Sequence, residues 1–253
     1  MRIILEEYNG QLTIIRSEGT SRTLVIPATI NDMPIIAIGE NAFTRKGLTL
    51  VTIPDSVIEI GDGAFSYNEL TTLVIGDSVE IIGRSAFAYN RLNDLTLGEG
   101  VRTIGVGAFA NNELVDIEIP DSVVNIEAYA FFLNRLNTLV IPNNVVSIGE
   151  GAFSSNRILN LILGSSVETI GDGAFFNNRL NRITIPESLY ALGRRVFESP
   201  LTRRRRTEPP IDFVLETGEV IYTTANNFDT YYATTGRRPG NYIFSPEGWV
   251  FQD

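Results

Sequence analysis

The stretch Leu70–Arg91, LTTLVIGDSVEIIGRSAFAYNR, decides the fold of this chain, because its pattern recurs through most of the sequence. The Ala-Phe pair marks the period, since a Phe returns every 22 residues at eight positions. These positions are Phe43, Phe65, Phe87, Phe109, Phe131, Phe153, Phe175 and Phe197. A unit of this size cannot bury its own apolar face, so the pattern predicts a solenoid of stacked coils.

Each part of the unit has an expected structural role. The L-x-x-L-x-L segment, with Leu70, Leu73 and Ile75, predicts a short strand whose alternate residues face the core. A Pro or Gly ends the strand, and a V-x-x-I segment supplies further core residues. The Ala-Phe pair is expected on a helical or 3₁₀ turn. A Gly before this turn is expected to need a positive φ angle. It recurs as Gly61, Gly83, Gly105, Gly149 and Gly171.

An Asn follows three residues after six of the repeated Phe residues. These are Asn68, Asn90, Asn112, Asn134, Asn156 and Asn178. We predict an internal ladder in which each amide bonds to backbone groups of adjacent coils. Ligand binding by these amides is the alternative.

The pattern L-x-x-L-x-I-P-x-S-V-x-x-I-G-x-x-A-F-x-x-N resembles the BspA-like, or treponemal-type, leucine-rich repeat over residues 20–200. The resemblance implies an α/β repeat solenoid: a right-handed coil with a parallel sheet on its concave face, short 3₁₀ or helical turns elsewhere, and β-hairpin caps. Members of that family are typically bacterial surface or secreted proteins, several of them implicated in adhesion to host matrix proteins. The resemblance therefore also implies an exported or surface-associated protein that binds a host or surface protein.

Three segments are expected. Residues 1–23 form an N-terminal hairpin cap that turns at Asn9-Gly10, residues 24–200 form the solenoid, and residues 201–253 form a C-terminal cap or a small aromatic-rich β module. In the last segment, residues 211–215 and 219–224 flank a turn at Thr217-Gly218 and favour a second hairpin.

Two features of the C-terminal segment leave alternatives open. Its aromatic residues either cap the last coils or form a site for sugar or peptide. They are Phe228, Tyr231, Tyr232, Tyr242, Phe244, Trp249 and Phe251. The run Arg203–Arg206 is expected in a solvated loop, with contact to an anionic partner as the alternative.

Composition narrows the functions available to the chain. The net charge of −10 argues against nucleic-acid binding, which needs basic groups to neutralise phosphates. The chain has no Cys and no His, so we expect no disulfide, no cofactor, no metal site and no catalytic triad. No apolar run reaches the roughly 20 residues of a transmembrane helix. The segment MRIILEEYNG has no signal-peptide features, although a mature exported protein would look the same.

The outward residues of the L-x-L strands, expected on the concave sheet face, are the candidate binding surface, because structure imposes few demands on them. The candidates are Leu50, Val74, Asp94, Asp116, Glu118, Val140, Leu159, Ile162 and Arg182. Their middle is acidic, and an apolar patch lies toward the C-terminal end. Outward apolar residues on adjacent strands predict contact with another surface, either a protein partner or the aromatic C-terminal segment folded back over this face.

A second row, four residues after each Phe, carries charge. Glu69, Arg91, Glu113 and Arg135 alternate in sign and predict ion pairs between coils. Arg135, Arg157 and Arg179 then share one sign and predict a basic edge.

Two other functions are weighed against protein binding. One is a carrier of a small apolar ligand, in a pocket between the apolar patch and the aromatic C-terminal segment. The other is a hydrolase that uses Asp94 and Asp116, since glycosidases need two carboxyls about 5–10 Å apart. Regular ladders produce such pairs by geometry alone, so we predict no enzyme.

Overall fold

The structure is a computed structural model that describes residues 1–180 and 182–198, together with the backbone of four later strands. The strands are β1 (Arg2–Tyr8), β2 (Gln11–Glu18), β3 (Thr23–Val25), β4 (Thr29–Ile30), β5 (Met33–Ile38), β6 (Leu50–Thr52), β7 (Glu59–Ile60), β8 (Thr72–Val74), β9 (Ile81–Ile82), β10 (Asp94–Thr96), β11 (Thr103–Ile104), β12 (Asn125–Ile126), β13 (Thr138–Val140), β14 (Ser147–Ile148), β15 (Asn160–Ile162), β16 (Thr169–Ile170), β17 (Arg182–Ile185), β18 (Ala191–Leu192), β19 (Ile211–Leu215), β20 (Val220–Thr223), β21 (Asn241–Ser245) and β22 (Gly248–Gln252).

The V-x-x-I segments form one continuous sheet, here called the V-x-x-I sheet. Its order is β1-β2-β5-β7-β9-β11-β12-β14-β16-β18, with β4 paired to β5. From β2 to β18 the neighbours along this path are parallel, and from β5 onward each residue pairs with the one 22 positions later, as Ile60 does with Ile82. The expected hairpin around Asn9-Gly10 is present as β1 and β2, and it adds to the first edge of this sheet.

The L-x-L segments form a second sheet on another side of each coil, here called the L-x-L sheet. It is divided into β3-β6-β8-β10 and β13-β15-β17-β19-β20. Between the two parts, residues 116–118 form no strand, and in the described part of the chain no backbone hydrogen bond joins them to a neighbouring coil. Asp94 and Asp116 occupy the same row on adjacent coils, where facing like charges disfavour pairing.

The repeated Phe side chains form the centre of the core, as the sequence predicts. Their rings stack from coil to coil, with centroids 5.1 Å apart for Phe43 and Phe65 and 5.8 Å apart for Phe175 and Phe197. The first seven rings are fully buried, and the Ala before each of them is buried as well. The fold is therefore a single column of apolar side chains enclosed by backbone.

The expected helical turn at the Ala-Phe pair is wrong. The described residues contain no helix, so the chain is a β-solenoid rather than an α/β solenoid. Two contacts explain the difference. The Phe65 N–H donates to the Ala86 carbonyl of the next coil at 2.7 Å, instead of to a carbonyl of its own coil. Two residues earlier, Gly63 has φ 62°, which a right-handed helix cannot accommodate.

The expected positive φ at the repeated Gly is also wrong. None of the five glycines from Gly61 to Gly171 in that row has a positive φ; the left-handed residue lies two positions later, as at Gly63 and Ser85. Close coil contact explains the Gly instead. A Cβ on Gly149 would lie 2.4 Å from the backbone N of Ala128 in the preceding coil.

We expect Gly149→Ala to lower the free energy of unfolding by about 1–3 kcal/mol, because the added methyl forces two coils apart. Urea denaturation followed by circular dichroism measures the change. Glu168→Ala, at an exposed position one coil further on, is the matched control. A Gly149→Ala midpoint equal to that of the control would show that this contact is not tight.

The division of the L-x-L sheet is tested by Asp94→Thr, Asp116→Thr and the double variant. Thr occupies the same row at Thr72 and Thr138. Each single change should stabilise the fold by about 0.2–1 kcal/mol, and the double change by less than the sum, since either one removes the repulsion. Additive effects in low-salt urea titrations, where charge repulsion is strongest, would contradict this explanation.

Candidate functional site

The candidate face consists of the outward side chains of the L-x-L strands. Alternation along each strand positions them: Leu139 and Leu161 are buried, whereas their neighbours Val140 and Ile162 are 50% and 52% exposed. Val140 and Ile162 lie side by side in the ladder between β13 and β15. Leu159, 43% exposed, belongs to the same coil as Ile162. The apolar patch, defined as Val140, Leu159 and Ile162, is therefore exposed on two adjacent coils.

A second group of exposed apolar side chains lies near the first coils. Leu50 is 45% exposed and Val74 53%, as expected of outward residues. Val25 is 71% exposed, although the repeat pattern did not identify it as an outward candidate. It belongs to the same row, because β3 pairs with β6 in the register Val25 to Thr52, and β6 pairs with β8 in the register Thr52 to Val74. Extending the row back through the enlarged first coil identifies it in the sequence.

The acidic residues lie between these two groups. Asp94, Asp116 and Glu118 are all exposed, at and beside the division of the sheet. Among the described residues, no group of three or more carboxylates is arranged to hold a metal ion. By their exposure, these carboxylates are surface charges in the middle of the candidate face.

The charged row beside the face follows the predicted pattern in part. Arg91 lies 3.9 Å from Glu69, and Arg135 lies 3.0 Å from Glu113. The four side chains are 40% to 62% exposed, so each pair contributes only about 0–1 kcal/mol. Arg157 and Arg179 are exposed as well, on the next two coils.

Arg182, the last candidate on the face, starts β17, where its backbone pairs with Asn160 on one side and Asp212 on the other. Its side chain lies outside the described residues. The segment from 199 to 210, with Arg203–Arg206, and the aromatic residues Phe228, Tyr231 and Tyr232 lie outside them too. The predicted sugar or peptide site at those aromatic residues is thus a prediction still.

The repeated Asn residues are structural, as predicted. In Asn90, Oδ1 accepts the Leu70 N–H at 3.0 Å, and Nδ2 donates to the Phe65 carbonyl at 3.0 Å and to the Phe87 carbonyl at 3.1 Å. The same set of bonds recurs in the other five, and all six side chains are buried. Their amides are occupied by the backbone and are not available to a ligand.

The two predicted strands of the second hairpin are present as β19 and β20, which pair antiparallel; the predicted turn at Thr217-Gly218 lies outside the described residues. Strand β19 pairs in parallel with β17, so this hairpin extends the L-x-L sheet by two strands. Its backbone therefore continues the sheet that carries the candidate face.

Two grooves in the described residues lie away from the apolar patch. One, of about 710 Å³, runs across the V-x-x-I sheet over Gly149, Gly171 and Gly193. The other, of about 500 Å³, lies beside Tyr129 and Phe176 at the Ala-Phe turns. Neither provides the ligand pocket expected between the apolar patch and the aromatic segment.

Tyr129 has an unusual position in the fifth repeat. It has φ 59°, and its hydroxyl donates a hydrogen bond to the Glu150 carboxylate of the next coil. That bond, followed by burial and by the negative charge of Glu150, raises the pKa of Tyr129 above its ordinary value.

Among the described residues, no helix is long and apolar enough to cross a membrane.

Comparison with known proteins gives a consistent family. Residues 20–134 and 80–203 match the BspA type leucine rich repeat region, in six copies. A leucine rich cell surface protein from Faecalibacterium prausnitzii is similar in structure, with a TM-score of 0.57 and 26% identity over 89% of this chain and 59% of its own. A leucine-rich repeat protein from Bacteroides ovatus has a TM-score of 0.59 and 26% identity, over 76% of this chain and 60% of its own.

The chain thus spans about three fifths of the length of these two structures. No functionally curated protein matches it in sequence.

The Tyr129 hydrogen bond predicts a pH dependence of stability. Because its pKa is raised in the folded state, the stability it contributes is present below about pH 10 and is lost as the pH rises through the folded-state pKa. Tyr129→Phe should therefore lower the urea midpoint at pH 7 and reduce its fall at alkaline pH. Tyr8→Phe, at a mostly exposed position in the N-terminal hairpin, is the control. Parallel pH profiles for the wild type and Tyr129→Phe would contradict the prediction.

Proposed function

Since the chain belongs to the BspA-type leucine-rich repeat family, we propose that it is a non-enzymatic binding protein whose candidate face docks a protein partner. One observation carries the proposal: the apolar patch is exposed on adjacent strands of a sheet whose own core needs none of these side chains. Contiguous apolar side chains on a sheet face gain free energy when a partner covers them.

The surface chemistry narrows the partner. The acidic residues Asp94, Asp116 and Glu118 lie on the coils before the apolar patch. Charges at the rim of an interface select the partner and speed its encounter more than they add affinity. The partner we propose therefore carries Lys or Arg side chains next to an apolar surface.

We further propose that the chain is exported or associated with a cell surface. The similar structure from Faecalibacterium prausnitzii is that of a cell surface protein, and the family supports the same location. Adhesion to a host or other surface protein is then the function that fits this binding face.

Two other functions fit less well. A carrier of a small apolar ligand needs a pocket at the apolar patch, and the two grooves described above lie elsewhere. A carboxylate hydrolase needs its two carboxyls in a substrate cleft, whereas Asp94 and Asp116 are exposed on a sheet face.

The proposal is tested by binding the purified chain to a panel of extracellular-matrix and bacterial surface proteins, measured by biolayer interferometry. For a partner that binds, Ile162→Glu and the Asp116→Lys/Glu118→Lys variant should each weaken binding by at least about tenfold. Ile81→Glu is the matched control, because Ile81 is 45% exposed on the V-x-x-I sheet.

Affinities within about twofold of wild type for the face variants, for every partner that binds, would refute a role for the candidate face. An equal loss of affinity in Ile81→Glu would indicate that the partner binds the V-x-x-I sheet instead.

A further inference from the structure

The L-x-L side of the solenoid changes its charge along the stack. In the coils that start at Glu69, Arg91 and Glu113, the segment that runs from the charged row to the end of the L-x-L strand contains at least one carboxylate. On the next three coils the corresponding segments, 135–140, 157–162 and 179–184, contain none. In a chain with a net charge of −10, this region is a local exception.

The arginines at the edge of that region are only partly neutralised. Arg135 is held by Glu113 at 3.0 Å. Arg157 and Arg179 have no carboxylate within 4.0 Å in the part of the chain that the structure describes. They occupy the same row on adjacent coils, so the backbone holds their attachment points about 4.8 Å apart.

Neutral hydrogen-bonding groups flank the arginines on both sides. On one side Asn177 Nδ2 donates to Ser155 Oγ at 3.2 Å, which links the two coils. On the other side Asn160 is exposed on the coil of Arg157, and Asn137 and Thr138 are exposed on the coil before it. Amides and hydroxyls can bond the hydroxyl groups of a sugar while the guanidinium groups bind anions.

From this arrangement we infer a binding site for a linear anionic polysaccharide along Arg157 and Arg179, its sulfate or carboxylate groups bound by the two guanidinium groups. The repeat of the coils favours a polymer, because cations at a regular spacing match anionic groups at a regular spacing. The site lies on the edge row beside the candidate face, so it goes beyond the protein binding proposed above and does not depend on it.

A membrane surface fits this site less well. A planar anionic surface laid on the arginines would also approach the exposed carboxylates Asp116 and Glu118, two coils before Arg157. The resulting repulsion opposes docking of a flat anionic membrane surface. A polymer one chain wide can follow Arg157 and Arg179 without reaching these carboxylates.

The test uses the full chain and labelled oligosaccharides, measured by fluorescence anisotropy over a range of NaCl concentrations. The probes are a heparin-derived decasaccharide, which is sulfated, an oligogalacturonate, which is carboxylated, and neutral dextran. Binding to either anionic probe and not to dextran is expected. Arg157→Gln/Arg179→Gln should weaken it at least about tenfold and lower the salt slope, since each lost cation contributes about 0.7–0.9 to the slope for nucleic acids.

Two variants keep the test specific. Arg91→Gln/Arg102→Gln makes the same change in net charge at exposed arginines elsewhere on the solenoid and should change affinity less than about twofold. A variant with Arg203–Arg206 all replaced by Gln reports on the other arginine-rich segment of the chain. Unchanged circular dichroism spectra confirm that each variant is folded.

Four outcomes would overturn the inference. They are no binding to either anionic probe, equal binding to dextran, equal losses in Arg157→Gln/Arg179→Gln and the Arg91→Gln/Arg102→Gln control, and loss only when Arg203–Arg206 are replaced. Arginine-dependent binding to phosphatidylserine vesicles without oligosaccharide binding belongs to the first of these and would indicate a membrane site. Loss of protein binding in Ile162→Glu with oligosaccharide binding intact would separate this site from the candidate face.

Discussion

The Asn ladder is the interaction on which the rest of the structure depends. Each amide bonds the backbone of its own coil and of the preceding coil, as Asn112 does with Phe109 and Phe87. These carbonyls lie next to the buried Phe column, where an unpaired polar group costs about 1–3 kcal/mol. Because one side chain must reach two turns at once, the turns must stay in register, and the 22-residue period follows from that requirement. The constraint involves only inward residues. The outward ones are left free, and any function of this solenoid must come from them.

The core could be predicted from the sequence because its residues recur with one identity at one spacing. The Phe column and the Asn ladder both belong to this class, whereas the hairpin at Asn9-Gly10 is predicted by its turn residues alone. The backbone conformation of the turn at the Ala-Phe pair could not be predicted from the sequence. Positive φ is adopted by Gly63 and Ser85 alike, so no single residue type marks the position. The repeated Gly is instead required by the distance between coils, which is a tertiary quantity.

The sequence predicts which side chains of the candidate face point outward. It does not predict which strands of neighbouring coils pair. Alternation along each strand places Val140 and Ile162 outward, and the structure agrees. The division of the sheet at residues 116–118 depends on which side chains face each other across coils. Like charges at Asp94 and Asp116, in the same row of adjacent coils, are the explanation we offer for the interruption of a ladder that the repeat pattern alone would continue. The repeat therefore determines which residues point outward, and the outward residues in turn alter the sheet that carries them.

The change of charge along the L-x-L side, from one end of the stack to the other, is hard to explain by stability alone. Ion pairs between coils, as between Arg135 and Glu113, would be satisfied equally well by alternating charges along the whole row. The row instead ends with Arg157 and Arg179, two like charges on adjacent coils, which costs some stability rather than adding to it. A repeat protein can separate its functions by coil, because each coil contacts only its neighbours. Acidic and apolar residues on the face, and arginines at its edge that have no carboxylate partner among the described residues, are then two surfaces on one rigid stack. Each surface can change its partner without disturbing the Phe column beneath it.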